Sequence, residues 1–158
     1  MKRIELTNGQ VALVDDGDFD LVSGYRWHAS KCRRVSYAQA SARRGDKTQI
    51  QMHRLILGVA DGIAVDHVDS DGLNNQRANL RVATLQQNGM NARKRLAATT
   101  SKFKGVRWHK QHLKWQAYIT NGGKQTHLGL FESERSAAFA YNREAIKRFG
   151  SFARINEL

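Results

Sequence analysis

The sequence predicts an α+β chain of two units, each made of small antiparallel sheets and helices. Three observations predict it. Short β-prone runs broken by turn residues fill positions 1 to about 58. A strand–loop–strand–helix pattern rich in Asp and Asn follows over 63–95. Three more strand-like runs and one long periodic helix occupy 103–158. The 158 residues suffice for one ordinary domain or two small ones.

In the first unit, Ile4-Glu5-Leu6-Thr7 and Val11-Ala12-Leu13-Val14 flank Asn8-Gly9, a hairpin signal. Asp18 to Val22 offers a short helical turn ending near Gly24. Tyr25 to Ala29, Ser36 to Ala40 and Gln49 to His53 read as further strands, with Trp27 and Tyr37 as core. Cys32, the single cysteine, excludes an intrachain disulfide and a Cys-rich zinc site, and is expected buried.

Ile63-Ala64-Val65 is a short apolar strand that brings Asp66 and His67 to its end. Asn79 follows Asp66 by thirteen residues, and Asn88 follows Asn79 by nine. Between them lie a loop of Asp, Asn and Gly and a second strand, Leu80 to Ala83. Thr84 starts a helix with Gln87 three residues on, a capping box that sets Asn88 near the fourth helical position. A hairpin packed on that helix would bring Asn88 over the strand end bearing Asp66. A carboxylate oxygen from Asp66 and an amide oxygen from Asn88 suit a hard divalent ion such as magnesium. His67 can take a proton from water, and Asn79 stands where it can orient that imidazole. Such a set can hydrolyse a phosphodiester with one metal ion. Arg93-Lys94-Arg95 closes the helix, and 96–102 reads as a connector. The chain contains no proline, so this connector is not expected to be stiff.

In the second unit, Phe103 to Trp108, Lys114 to Ile119 and Gln125 to Gly129 are the strands, with Asn121-Gly122-Gly123 as a tight turn. Ser133 caps a helix to about Phe149, stopped by Gly150. Ala137, Tyr141, Ala145 and Phe149 recur every four residues, with Ala138 and Ile146 alongside, so one sheet face meets this helix. The other face is left free and basic.

Charge points to the partner. Lys and Arg outnumber Asp and Glu by 26 to 14, which calls for a polyanion, best a nucleic acid. Between Gly72 and Phe131 there are eleven Lys and Arg and no Asp or Glu, and Asp61, Asp66, Asp69 and Asp71 stand just before. No long apolar run argues for a membrane span or a secretory leader. The expected setting is the cytoplasm of a bacterial or phage-infected host cell.

With these residues in place, the chain resembles a phage or intron-type HNH homing endonuclease. The resemblance rests on Met52 to Gly58, Val65-Asp66-His67, Asn74-Asn75, Asn79 to Thr84 and Gln87-Asn88. The C-terminal unit resembles the Apetala/ethylene-response-factor DNA-binding domain. Its carriers are Lys104-Gly105-Val106-Arg107, Trp115-x-Ala117-x-Ile119, Leu128-Gly129-x-Phe131, Ala137-Ala138-x-Ala140-Tyr141 and Gly150-x-x-Ala153-x-x-Asn156. The resemblance implies a ββα-metal nuclease fold within a domain spanning 1–95, a 96–102 linker, and a DNA-binding domain at 103–158. It implies His67 as general base, Asn79 holding its ring, and Asp66 with Asn88 binding one Mg2+ or Mn2+. His53 fits the pattern, as a structural histidine at a strand end. The family's free sheet face enters the major groove of double-stranded DNA. Strand alternation then turns Lys104, Arg107, His109, Tyr118, Thr120, Gln125 and His127 outward, and Arg93, Lys94 and Arg95 join them as DNA contacts. Trp115 is either core or a base contact. Plant members have more Arg and Trp on this face and one residue fewer between the Val-Arg and Lys-Trp pairs.

The expected function is a metal-dependent, site-specific, homing-type DNA endonuclease, acting as a monomer and nicking one strand. The alternatives are a DNA-binding regulator with an inactive HNH scaffold, and a nuclease acting on RNA or on any duplex without specificity.

Overall fold

Strand β1 (Lys2–Glu5) pairs antiparallel with β2 (Val11–Val14), Lys2 opposite Val14 and Glu5 opposite Val11. The Asn8-Gly9 turn between them forms as the sequence predicts, with Gly9 at φ 78°. The Asn8 side chain clasps Ala29, donating to its carbonyl at 3.0 Å and accepting from its amide at 3.1 Å. The turn is thereby tied to the next sheet. In this computed structural model, residues 1–32, 35–42, 48–94 and 100–158 are described. They divide into two compact units, Met1–Thr84 and Leu85–Leu158. The division precedes the helix that the sequence analysis assigned to the first domain.

In the first unit, helix α1 (Phe19–Ser23) follows a 3-10 turn, Asp16–Asp18, and ends at Gly24. Tyr25 and Trp27 stay outside the expected strand. The Tyr25 amide turns back to the Val22 carbonyl at 3.2 Å, and buried Trp27 donates its indole N–H to the same carbonyl at 2.8 Å. A three-stranded antiparallel sheet follows, β3 (His28–Cys32), β4 (Val35–Ser41) and β5 (Gln49–Gln51), in that spatial order. Cys32 ends β3 exposed, not buried as expected. The third strand stops at Gln51. Met52–Leu57 is helix α2, closed by Gly58 in the left-handed region at φ 63°. Met52, His53 and Ile56 are its buried residues. That is a helical spacing, so His53 sits on a helix and not at the end of a strand. Strand β6 (Ala64–His67) pairs with β7 (Leu80–Ala83), setting Asp66 opposite Arg81 and His67 opposite Leu80.

The hairpin's outer strand grips the loop between β6 and β7. The Leu13 amide donates to the Leu73 carbonyl and the Asn75 amide to the Leu13 carbonyl, each at 2.8 Å. Asp15 accepts from the Gln76 side chain and the Arg77 amide, at 3.1 and 2.8 Å. Arg77 forks onto the buried Asp18 carboxylate through Nε and Nη2. One core, including Ile4, Val14, Trp27, Ala38, Met52 and Leu80, runs beneath all these pieces. The β-rich N-terminus is therefore built into the Asp/Asn loop.

In the second unit, α3 (Leu85–Asn91) precedes β8 (Val106–His109), β9 (Lys114–Asn121) and β10 (Lys124–Phe131). The sheet is antiparallel in the order β10-β9-β8. Gly122 and Gly123 make the tight turn with positive φ. Helix α4 (Glu134–Phe149) is capped by Ser133, whose Oγ accepts from the Ser136 amide at 3.0 Å. It buries Ala137, Ala138, Tyr141, Ala145 and Phe149, whereas Ile146, expected on that face, is 55% exposed. Trp115, half-buried, packs against this core with its ring 5.1 Å from that of Trp108. Among the described residues no helix is long and apolar enough to cross a membrane.

Candidate active site

Strand β6 ends in two adjacent buried side chains, Asp66 and His67. Successive strand residues face opposite ways, so the pair divides between two environments. Asp66 meets the residue across the ladder: Arg81 donates to its Oδ2 through Nε at 2.8 Å and Nη2 at 2.5 Å. This pairing is not legible in the sequence, because it depends on the β6–β7 register.

His67 enters an aromatic nest. Its ring centroid lies 5.0 Å from His53 of α2, nearly perpendicular, and 5.6 Å from Tyr37 of β4. Tyr37 and His53 are themselves 5.7 Å apart. Gly72 lies against Tyr37, where a Cβ would come within 2.6 Å of the phenol ring. Burial holds the His67 imidazole below its ordinary pKa, against the opposing influence of the nearby Asn75 side chain and the negative charges of Asp69, Asp66 and Asp71. Burial likewise lowers His53, to about 3, with His67 and Arg54 adding to the effect. Both rings are thus neutral at neutral pH, and a neutral imidazole can accept a proton.

Asn79 serves the loop. Its amide Nδ2 donates to Asp69 Oδ1 at 2.9 Å and to the Asn74 carbonyl at 2.8 Å, and its Oδ1 accepts from the Asp69 amide at 3.0 Å. The side chain set against the imidazole is that of fully buried Asn75. Asn79 acts one layer further out, fixing the turn that leaves His67. Asp69 is the hub of that turn. Burial alone would raise its carboxyl, but hydrogen bonds from the Asp71 amide and from Asn74 and Asn79, together with the neighbouring His67, hold it below the usual range.

A group whose folded pKa is depressed stabilises the fold above its unfolded value, near pH 4, and loses that contribution as pH falls through the folded value. Asp69→Asn should therefore cost roughly 1–2 kcal/mol above pH 5. The gap from wild type should narrow steadily below pH 4. Urea unfolding across that range checks this, and a pH-independent gap would contradict it.

Asn88 lies at the fourth position of α3, in the second unit. Asp66 and Asn88 both offer hard oxygen donors. Among the described residues no three His, Cys, Asp or Glu side chains group as a metal cage. An ion drawing on one carboxylate and one carboxamide would keep water or phosphate oxygens in its other positions, as magnesium does. The donor chemistry fits such an ion.

The outward face of the second sheet holds six of the seven expected side chains: Arg107, His109, Tyr118, Thr120, Gln125 and His127. They are joined by Gln116, opposite Arg107 in the ladder and not among the residues expected from the sequence. Gln116 accepts from Arg107 Nε at 2.7 Å and bonds His127 Nδ1 at 2.7 Å. The Arg107 guanidinium lies 5.0 Å over the Tyr118 ring. Lys104 departs from the expectation. Its ammonium turns to the carbonyls of Met90 and Ala92, and burial, with Arg154 nearby, pushes its pKa down to about 8. Lys94 likewise turns inward, donating to the Phe103 and Val106 carbonyls. Arg93 is exposed after α3, and Arg95 lies outside the described residues.

A family model described as HNH endonuclease matches residues 52–90. Over 157 residues the chain is 33% identical to an uncharacterized HNH endonuclease of Acanthamoeba polyphaga mimivirus, covering 95% of this chain and 76% of that one. The chain belongs to the HNH endonuclease family. This HNH endonuclease is also 32% identical to Protein 3.8 of Escherichia phage T7 over 97 residues, which cover 61% of the chain and 78% of the phage protein. A segment of 57 residues, 36% of the chain, is 40% identical to APETALA2-like protein 2 of Oryza sativa, of which it covers 13%. No solved structure matches. HNH nucleases are generally metal-dependent. The family match runs from α2 through most of α3, so it crosses the division between the two compact units.

Proposed function

We propose that this nuclease is a metal-dependent, site-specific DNA endonuclease of the homing type that nicks one strand. The observation that supports it most is the buried His67 beside Asp66 at the end of β6, packed against the rings of His53 and Tyr37, inside the family match. His67 takes the proton of a water as its oxygen attacks phosphorus, and the 3′ or 5′ oxygen leaves. The edge of His53, with its ring centroid 5.0 Å away, packs against the imidazole and limits its rotation. Asp66, kept oriented by Arg81, and Asn88 would hold one Mg2+ or Mn2+. When bound, that ion supplies charge neutralisation on the scissile phosphate. Residues 103–158 bind the duplex through Arg107, His109, Tyr118, Thr120, Gln125 and His127, with Arg93 on the phosphate backbone. The face supports this by presenting a fixed guanidinium beside hydrogen-bonding amides and imidazoles, a set suited to base edges in a major groove.

Supercoiled plasmid incubated with the protein and magnesium should give open circles before any linear form, as one site per monomer cuts one strand. Excess EDTA should abolish cutting. Undiminished cutting in EDTA would overturn the metal dependence. Linear product from the first time points, with a dimer mass in solution, would overturn the single-strand nick.

A further inference from the structure

Helix α3 has seven residues, too few to be stable by itself in water. The second unit holds it at both ends. At its start, Gln86 Nε2 donates to Asn121 Oδ1 at 2.6 Å, at the β9–β10 turn. At its end, Met90 packs with Ile119, Tyr141, Ala145 and Phe149. There too the Lys104 ammonium donates to the carbonyls of Met90 and Ala92, the latter at 2.7 Å. Those carbonyls belong to the last turn and its exit, where a helix has no acceptor bonds of its own and where a cation is favoured. Lys94, just beyond, returns the contact by donating to the Phe103 and Val106 carbonyls at 2.6 and 3.0 Å. Asn88 stands midway between Gln86 and Met90.

We infer that Lys104 is a positioning residue of the endonuclease: from within the sheet unit it fixes the end of α3, and with it Asn88. Residues 103–158 then contribute to the cutting step itself, beyond gripping DNA. This rests on the ion-holding role proposed above for Asn88.

The test uses full-length protein, supercoiled plasmid and a magnesium titration, with Lys104→Met, Asn88→Ala and the double variant. Lys104→Met should lower the cleavage rate at saturating DNA roughly ten-fold, the scale of losing charged hydrogen bonds. It should raise the magnesium concentration for half-maximal rate and leave duplex affinity in gel shifts unchanged. In the Asn88→Ala background it should cause no further loss. Lys104→Arg, which can still donate to two carbonyls, should recover much of the rate. If Lys104→Met fails to fold, Gln86→Ala, at the exposed other end, should give the same pattern in weaker form. Weaker duplex binding with an unchanged saturated rate would make Lys104 a phosphate contact and overturn the inference. Additive losses in the double variant would overturn it too. Normal cutting by Asn88→Ala would instead sink the ion-holding role on which it rests.

Discussion

Replacing His67 with alanine is expected to lower the cleavage rate about 10²–10⁴-fold, the contribution of a positioned general base, while duplex binding survives. The ring is buried and its pKa is held down by that burial, so the neutral, proton-accepting form prevails at neutral pH. The substitution also opens a space beside His53 and Tyr37, whose rings lie 5.0 and 5.6 Å from that of His67. Thermal melting separates the two effects. A loss of rate with an unchanged melting temperature belongs to the chemistry. Parallel plasmid-cleavage and gel-shift assays supply the rest. Normal cutting by His67→Ala would place the base elsewhere, and His53 is the neighbouring imidazole to test next.

What the sequence revealed and what it hid follow one physical line. Local signals read correctly: Asn8-Gly9 makes its turn, Ser133 caps α4, and Gly150 ends it. The alternation of the C-terminal strands put Arg107, Tyr118 and Gln125 on one face because a pleated strand allows nothing else. The spacing of Asp66, His67, Asn79 and Asn88 marks them as a candidate set, a pattern visible in the residues alone. Long-range partners were not legible. Arg81 reaches Asp66 only through the β6–β7 register. Tyr37 and His53 come to His67 from a strand and a helix far off in sequence. Asn79 and Asn75 are both amides in one loop, and only the folded turn shows which faces the ring. Strand alternation would place Lys104 on the outward sheet face, but β8 begins only at Val106, so the alternation does not govern it. At Met52-His53, strand pairing gives way to a helix because burying Met52 and Ile56 together requires a helical step.

The same dependence on close packing makes Gly105 the most tightly enclosed glycine of the second unit. Its φ is +72°, a conformation that side chains rarely adopt, and its carbonyl accepts the Tyr118 amide at 2.8 Å. A Cβ there would come within 2.5 Å of the Tyr118 carbonyl oxygen and would press into the Tyr141 ring. Tyr141 is 2% exposed and packs with Ile119, Ala145 and Phe149, so it has no room to withdraw. Overpacking and left-handed strain together put the cost of Gly105→Ala at roughly 2–6 kcal/mol. That is a large part of the stability of a small domain. Gly105→Ala should therefore melt the second unit well below wild type, seen in the fluorescence of Trp108 and Trp115, and should lose duplex binding in gel shifts. Gly123 supplies the control. Its φ is +79°, but a Cβ there would meet nothing within 4 Å, so Gly123→Ala should cost only the backbone strain, about 1–3 kcal/mol. Equal melting temperatures for the two variants would mean that Tyr141 yields, and that the packing of α4 against Gly105 does not set the stability of this sheet.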